Sequence, residues 1–198
     1  SDGTQLMLHM GFDITERKKS VEPLRTSEQR LRLLSSQLLT LRSAPLGPDI
    51  EVGAPYTADG FRSENCALLE GGVLRNLTLS HYGSRKTGKA RCPSGGGSFA
   101  VDPGATALAD LVKDVKRGLL LARFSGGEPS ENGDFSGVAK NSYLIEDGRV
   151  VRPVSETMVA GNLGRLFGSI RAVSRERKDY GSFVAPWILS GGGTISGK

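Results

Sequence analysis

Asp147-Gly148 constrains this chain more than any other pair of residues. It sits between SYLIE and RVVRPV, two short runs with alternating apolar positions. A two-residue type I′ reversal needs positive φ at both central residues, and Asp-Gly meets that need at little steric cost. The run therefore predicts an antiparallel hairpin. Pro153 brings no N–H to a ladder, so the second strand is expected to lie at a sheet edge or to end there. The hairpin is part of GDFSGVAKNSYLIEDGRVVRPVSETMVAGNL, Gly133 to Leu163. That stretch reads as a turn, a strand, a reversal, a strand, and a Gly-Asn turn into a helix.

The surrounding body, from Asp49, has the same character. CALLEGGVLRNLTLS predicts a second hairpin, with Ala67 to Leu69 and Val73 to Leu79 on either side of Glu-Gly-Gly. A helix is expected after Pro103-Gly104. Thr106 is its N-cap, Asp110 lies in its first turn, and Leu108, Leu111, Val112, Val115 and Leu119 form its apolar stripe. Gly118 is expected to stop it, and LLLARF to follow as a buried strand. A second helix is expected from Leu163 to Val173, and SFVAPWILSGGGTISGK supplies closing strands. Glycine, at 27 of 198 residues, is about twice its usual ~7% share and favours turns over long helices. The expected class is α+β: an antiparallel, strand-rich domain with two helices.

Residues 1–46 read differently. Leu6, Leu8, Met10 and Phe12 alternate as in a strand. From Val21 the period changes. Leu24, Leu31 and Leu38 fall seven apart, and Leu34 and Leu41 fill the second seam position, predicting a short coiled-coil-like helix. Such a helix is marginal alone and needs a second chain or a body to pack on. The two prolines and glycine of RSAPLGPDI end it, so the boundary is expected within Ser43–Pro48, between a unit 1–46 and a domain 47–198.

Several chemistries are disfavoured. Gly192 to Lys198 spells G-x-x-x-x-G-K, but no Ser/Thr or helix follows to make an anion site. His9, His81, Cys66 and Cys92 have no metal-ligand spacing. Ser136, His81 and Asp134 could be imagined as a triad, yet no nucleophile elbow positions them. Cys66 is expected at a strand start as packing, and His81 on a turn or surface. The net charge of +5 permits acidic partners. Its small clusters, Arg85, Lys86, Lys89, Arg91 and Arg175, Arg177, Lys178, have no interleaved aromatics, which favours a solvated surface over a nucleic-acid site. No run reaches the ~18 apolar residues of a membrane span. A cytoplasmic protein with free thiols is expected. Asp134, after Gly133, suits an Asx turn that accepts backbone N–H bonds from residues just ahead, with Phe135 anchored inside and Ser136 facing out. A buried architectural loop and a peptide-contacting loop are both open readings of Gly133, Asp134, Phe135 and Ser136.

Two resemblances follow from these residues. FDITERKK and SEQRLRLLSSQLLTLR resemble the end of a PAS sensor domain and the first dimerisation helix of a bacterial sensor kinase. The phosphoacceptor histidine and nucleotide-binding glycine boxes of such a kinase are missing. From Asp49 onward, four segments in order resemble the C-terminal region of the TldD/PmbA proteins: LLEGGVLRNLTLSHYGSRKTG, FAVDPGATALADLVKDVKRGLLLARFSGG, GDFSGVAKNSYLIEDGRVVRPVSETMVAGNL and YGSFVAPWILSGGGTISGK. That family is known as metallopeptidases and as modulators of DNA gyrase. The resemblance implies a zinc site built from a His-Glu-x-x-x-His helix and a late cysteine. Neither is written here, where Phe183-Val184-Ala185-Pro186 occupies the end segment. It therefore implies the PmbA-like (TldE-like) branch, which holds no zinc and pairs with a zinc-bearing TldD-like subunit or with itself. It further implies an unstructured peptide substrate, held as an extended strand. Gly133 to Ser136 are then the candidate peptide-facing loop, and Leu24, Leu31, Leu34, Leu38 and Leu41 the candidate dimerisation seam. A peptide-binding or dimerising module, a sensor-derived signalling fragment, and a fusion without a selected function are the alternatives.

Overall fold

The computed structural model describes residues 5–8, 35–48 and 50–197. The elements run β1 (Gln5–Leu8), β2 (Leu41–Ser43), β3 (Cys66–Glu70), β4 (Val73–Leu74), α1 (His81–Thr87), β5 (Phe99–Val101), α2 (Leu108–Lys113), β6 (Arg117–Leu121) and β7 (Arg123–Gly126). They continue with β8 (Asp134–Lys140), β9 (Tyr143–Glu146), β10 (Arg149–Pro153), β11 (Met158–Asn162), α3 (Leu163–Gly168), β12 (Ile170–Asp179), β13 (Phe183–Ser190) and β14 (Gly193–Ser196). The chain forms two compact units. One comprises Ser1–Met10, Pro103–Arg177 and Pro186–Lys198, the other Gly11–Asp102 and Lys178–Ala185.

The first unit is strand-rich. Its strands run β10-β9-β6-β1-β13, with β12 also on β13, and a separate four-stranded sheet runs β14-β11-β8-β7. Asp147 and Gly148 have φ of 45° and 75°, the conformation a type I′ reversal requires. Both turn amides donate to neighbouring backbone, Asp147 to Lys116 O at 2.7 Å and Gly148 to Val115 O at 2.9 Å. Among the described residues β10 pairs only with β9, and every residue of it is exposed, as Pro153 implied. Most ladders are antiparallel, but Gln5–Leu8 lies parallel to Gly118–Leu121 while Leu6–Leu8 runs antiparallel to Ile188–Ser190. Two apolar clusters form the core. One gathers Leu119, Leu121, Phe135, Ala139, Val159 and Leu166, the other Leu111, Val112, Val115, Ile145 and Leu189.

In the second unit the order is β13-β5-β2-β3-β4, where β13 contributes Phe183 and Val184 parallel to Phe99 and Ala100. Leu68, Cys92 and Phe99 form one cluster; Ala44, Ile50 and Val184 form another. Arg42 meets Asp102 in a two-pronged pair, Nε to Oδ1 at 2.8 Å and Nη2 to Oδ2 at 2.7 Å. The hydrogen bond to Asp102 raises the Arg42 pKa above its ordinary value, so the guanidinium stays charged.

The class is α+β; among the described residues there are three short helices, all within the domain for which two were expected. The first helix after Pro103 ends at Lys113, and Gly118 lies in β6 instead of stopping it. Val115 and Leu119 are buried, but outside the helix. An apolar run such as VKRGLLL fits either period, and pairing of β6 with β9 settles it as a strand. Thr106 does not cap this helix. The N-cap is Ala107, without a side-chain bond, and Thr106 bridges in parallel to Ser174. The helix at Leu163 stops at Gly168, because the β-branched Ile170 and Val173 belong to β12. The hairpin at Cys66 is shorter than expected. β4 holds only Val73 and Leu74, and α1, which the sequence reading did not anticipate, begins at His81.

The last two positions of the expected heptad helix are not helical. Leu38 is half exposed in a turn, and Leu41 opens β2. Leu24, Leu31 and Leu34 lie outside the described residues, as do His9 and Phe12 to Lys19. Among the described residues, no helix is long and apolar enough to cross a membrane.

Candidate functional site

The Gly133–Ser136 turn is tied from both sides. Gly133, at φ 85°, donates its N–H to Ser130 O at 2.8 Å and accepts from Leu163 N at 2.8 Å. The expected Asx turn does not form. It is the Ser130 hydroxyl that accepts the Asp134 N–H, at 3.0 Å, while the Asp134 carboxylate accepts Asn162 Nδ2 at 2.9 Å. The same Nδ2 donates to Asn132 O at 2.9 Å. Asn162 Oδ1 meanwhile accepts the N–H groups of Gly164 and Arg165 at 3.0 and 3.3 Å, capping α3. One amide side chain thus joins the turn to the helix, which explains why GDFS and AGNL occur together in one run. Phe135 points into the core, edge-on to Phe124 with centroids 5.8 Å apart at 85°. Asp134 and Ser136 are exposed. The backbone around Ser136 pairs with Ala160 of β11, and its neighbour Gly137 with Gly126 of β7. Asn162→Ala is expected to lower stability by about 1–2 kcal/mol, the range for a lost cap, in urea unfolding followed by circular dichroism.

The sequence reading missed a groove in the same unit. It is open, about 530 Å³, and lined by Leu108, Val112, Lys113, Leu120, Val150 and Glu176 among others. Its wall, β10, carries the exposed Val150 and Val151. The signal was available in RVVRPV: two adjacent valines on a strand that Pro153 had already placed at an edge. Glu176 Oε2 accepts the Leu108 N–H at 2.8 Å and so does the capping that Thr106 was expected to do. Its own backbone N–H and that of Leu108 hold its carboxyl below the usual glutamate range, and Arg175 adds to the effect. A depressed pKa stabilises the fold above the unfolded-state pKa, and that stability is lost as pH falls through the folded one. Glu176→Gln should therefore melt below the parent at pH 7, with the gap closing in acid. A gap independent of pH would remove this account.

Cys66 opens β3 and Cys92 is buried, both as free thiols with Sγ atoms 3.8 Å apart. Burial, with the neighbouring Cys92, pushes the Cys66 thiol up to about 11, so it is a weak nucleophile near neutrality. His81 lies exposed at the start of α1. Among the described residues, no group of three or more His, Cys, Asp or Glu side chains could hold a metal ion. The donor set of a catalytic zinc, normally three protein ligands, is not assembled by these residues, and the Phe183–Pro186 segment offers no thiol or imidazole. Ser136, His81 and Asp134 are not brought together by any hydrogen bond.

This strand-rich α+β arrangement has the fold of several solved proteins. One is a Bacteroides thetaiotaomicron protein described as a candidate modulator of DNA gyrase. It is similar at TM-score 0.73 and 29% identity, over 83% of this chain and 38% of that one. TldE from Thermococcus kodakarensis shares the fold at TM-score 0.71 and 22% identity, over 83% and 41% of the two chains. Among curated proteins, the metalloprotease PmbA homolog of Haemophilus influenzae is 27% identical over 148 residues, 73% of this chain and 33% of its own. The PmbA/TldA metallopeptidase C-terminal domain matches residues 15–197, and this chain belongs to that family. It spans about a third of the length of the curated relatives it matches.

Proposed function

We propose that this chain is a non-catalytic C-terminal domain of a PmbA/TldD-type peptidase system, one that presents an unstructured peptide to a zinc-bearing TldD-like subunit. The observation that carries this reading is β10, an edge strand exposed at every residue beside an apolar groove. An extended peptide can add to such an edge through main-chain hydrogen bonds and drop alternate side chains into the groove. The exposed Asp134 and Ser136 offer a second contact for the same peptide. A partner-dependent role without hydrolysis by this chain alone is supported by Phe183-Val184-Ala185-Pro186, which holds no thiol or imidazole. A cytoplasmic setting belongs to the same reading, supported by two neighbouring free thiols.

The test is cleavage of an unfolded peptide by this chain, alone and mixed with a TldD-like subunit. Cleavage in the mixture that exceeds the partner alone is expected, and Val150→Glu should reduce that excess several-fold. Equal rates with and without this chain would remove the accessory role. Stoichiometric zinc in elemental analysis of the untagged protein would remove the non-catalytic one.

A further inference from the structure

The second unit carries a surface that the peptide reading does not use. From Gly71 to Val101 the chain has no acidic residue and five basic ones, Arg75, Arg85, Lys86, Lys89 and Arg91, equal to the formal net charge of +5 of the whole chain. Arg75 is paired with Glu70 at 2.9 Å. The other four form no ion pair among the described residues. Arg85 and Lys86 lie in the last turn of α1, which buries none of its residues, and Lys89 follows its C-cap, Gly88.

The fold brings aromatic rings to these cations that the sequence order does not. The His81 N–H donates to Asp59 Oδ2 at 2.8 Å, which ties the start of α1 to the loop closed by the Tyr56–Arg62 bridge. The Phe61 ring lies 5.4 Å from that of His81, and the Arg91 guanidinium lies 4.1 Å from the Phe61 centroid. Tyr82 has the Lys86 ammonium 5.9 Å from its ring. Tyr56 and Tyr82 are 67% and 68% exposed. The objection that no aromatics interleave with this cluster holds for the linear order and fails in space.

We infer that this surface binds single-stranded nucleic acid. Unpaired Arg85, Lys86 and Lys89 supply phosphate contacts, and the exposed faces of Tyr82 and Tyr56 supply stacking platforms that tolerate any base. The Asp59 carboxylate at the start of α1 is engaged by the His81 backbone N–H. An acidic peptide would use the cations but leave the exposed rings without a role, so the rings favour a nucleic acid. A duplex keeps its bases stacked and gives those rings nothing to take.

The experiment is fluorescence anisotropy of a fluorescein-labelled twelve-base oligothymidylate with the full chain, from 50 to 200 mM salt. Saturable binding is expected, with log K falling by about 0.7 per contacted phosphate for each tenfold rise in salt. Tyr82→Ala should weaken binding about tenfold with the salt slope kept, in line with base-stacking losses. The double variant Arg85→Ala/Lys86→Ala should flatten the slope by about 1.4, two contacts' worth. All these side chains are exposed, and circular dichroism melts check that each variant folds. No binding at 50 mM salt, tighter binding of a labelled twelve-residue glutamate peptide, or an unchanged affinity in Tyr82→Ala would each overturn the inference.

Discussion

Phe135→Ala is expected to lower the unfolding free energy by about 3–5 kcal/mol, the range for deleting a buried aromatic side chain. Phe135 is 7% exposed and packs with Leu119, Leu121, Ala139, Val159 and Leu166, with Phe124 edge-on. The cavity left behind cannot close easily, because one wall is main chain. A Cβ built on Gly161 would already lie 3.0 Å from Phe135 Cζ, and Gly137 and Gly126 oppose each other closely under Phe124. β7, β8 and β11 are hydrogen-bonded side by side, so none can move in alone. Phe135→Leu keeps most of the volume and should cost under about 2 kcal/mol. Urea midpoints at constant m-value measure both. A loss below 1 kcal/mol for the alanine variant would show that Phe135 does not anchor the turn.

Gly104→Ala should cost about 1–3 kcal/mol, the range for overpacking in a well-packed site. A methyl group there would stand 2.0 Å from the Val173 carbonyl oxygen and 2.8 Å from its carbon. Those atoms belong to β12 and cannot swing aside as a side chain would. Relief requires moving the segment from Pro103 to Ala107, which breaks the bonds Gly104 N to Ser174 O at 2.9 Å and Arg175 N to Thr106 O at 2.8 Å. Gly127→Ala and Gly168→Ala are the controls, since nothing lies within 4 Å of a Cβ at either position. Both should melt within about two degrees of the parent. A Gly104→Ala protein with an unchanged melting temperature would mean that this contact has room to relax.

Features governed by local chemistry were legible in the sequence. Asp147-Gly148 and Pro153 act over two or three residues, and their reversal and edge strand follow directly. The position of Phe135 inside and Ser136 outside also follows from alternation. What failed was decided by distant atoms. The stripe Leu108 to Leu119 has a helical period, yet the pairing of β6 with β9 takes its last third. Thr106 is a sound cap by type, but the carboxylate that serves α2 comes from Glu176 on another element. Asp134 suits an Asx turn, but Asn162 reaches its carboxylate across the sheet. α1 was legible and unread: Ser80 caps it through Gly83 N, and Gly88 ends it at φ 70°. The far wall of the groove beside β10, and Phe61 beside α1, come from separate segments, and no spacing rule along the chain reveals those.

The place of β1 between two strands far along the chain has a consequence for folding. Leu6 pairs with Leu119 on one side and Ser190 on the other. β1 therefore gains its second neighbour only when Ile188–Ser190 is in place, and both of its ladders close very large loops. Pairing at such separations is slow. Before Gln5–Leu8 docks, a partly folded chain leaves one border of β6 and one of the Pro186–Ser190 part of β13 open, and such borders recruit strands from other chains. Yield on refolding should thus depend on protein concentration more steeply than the stability of the finished fold suggests.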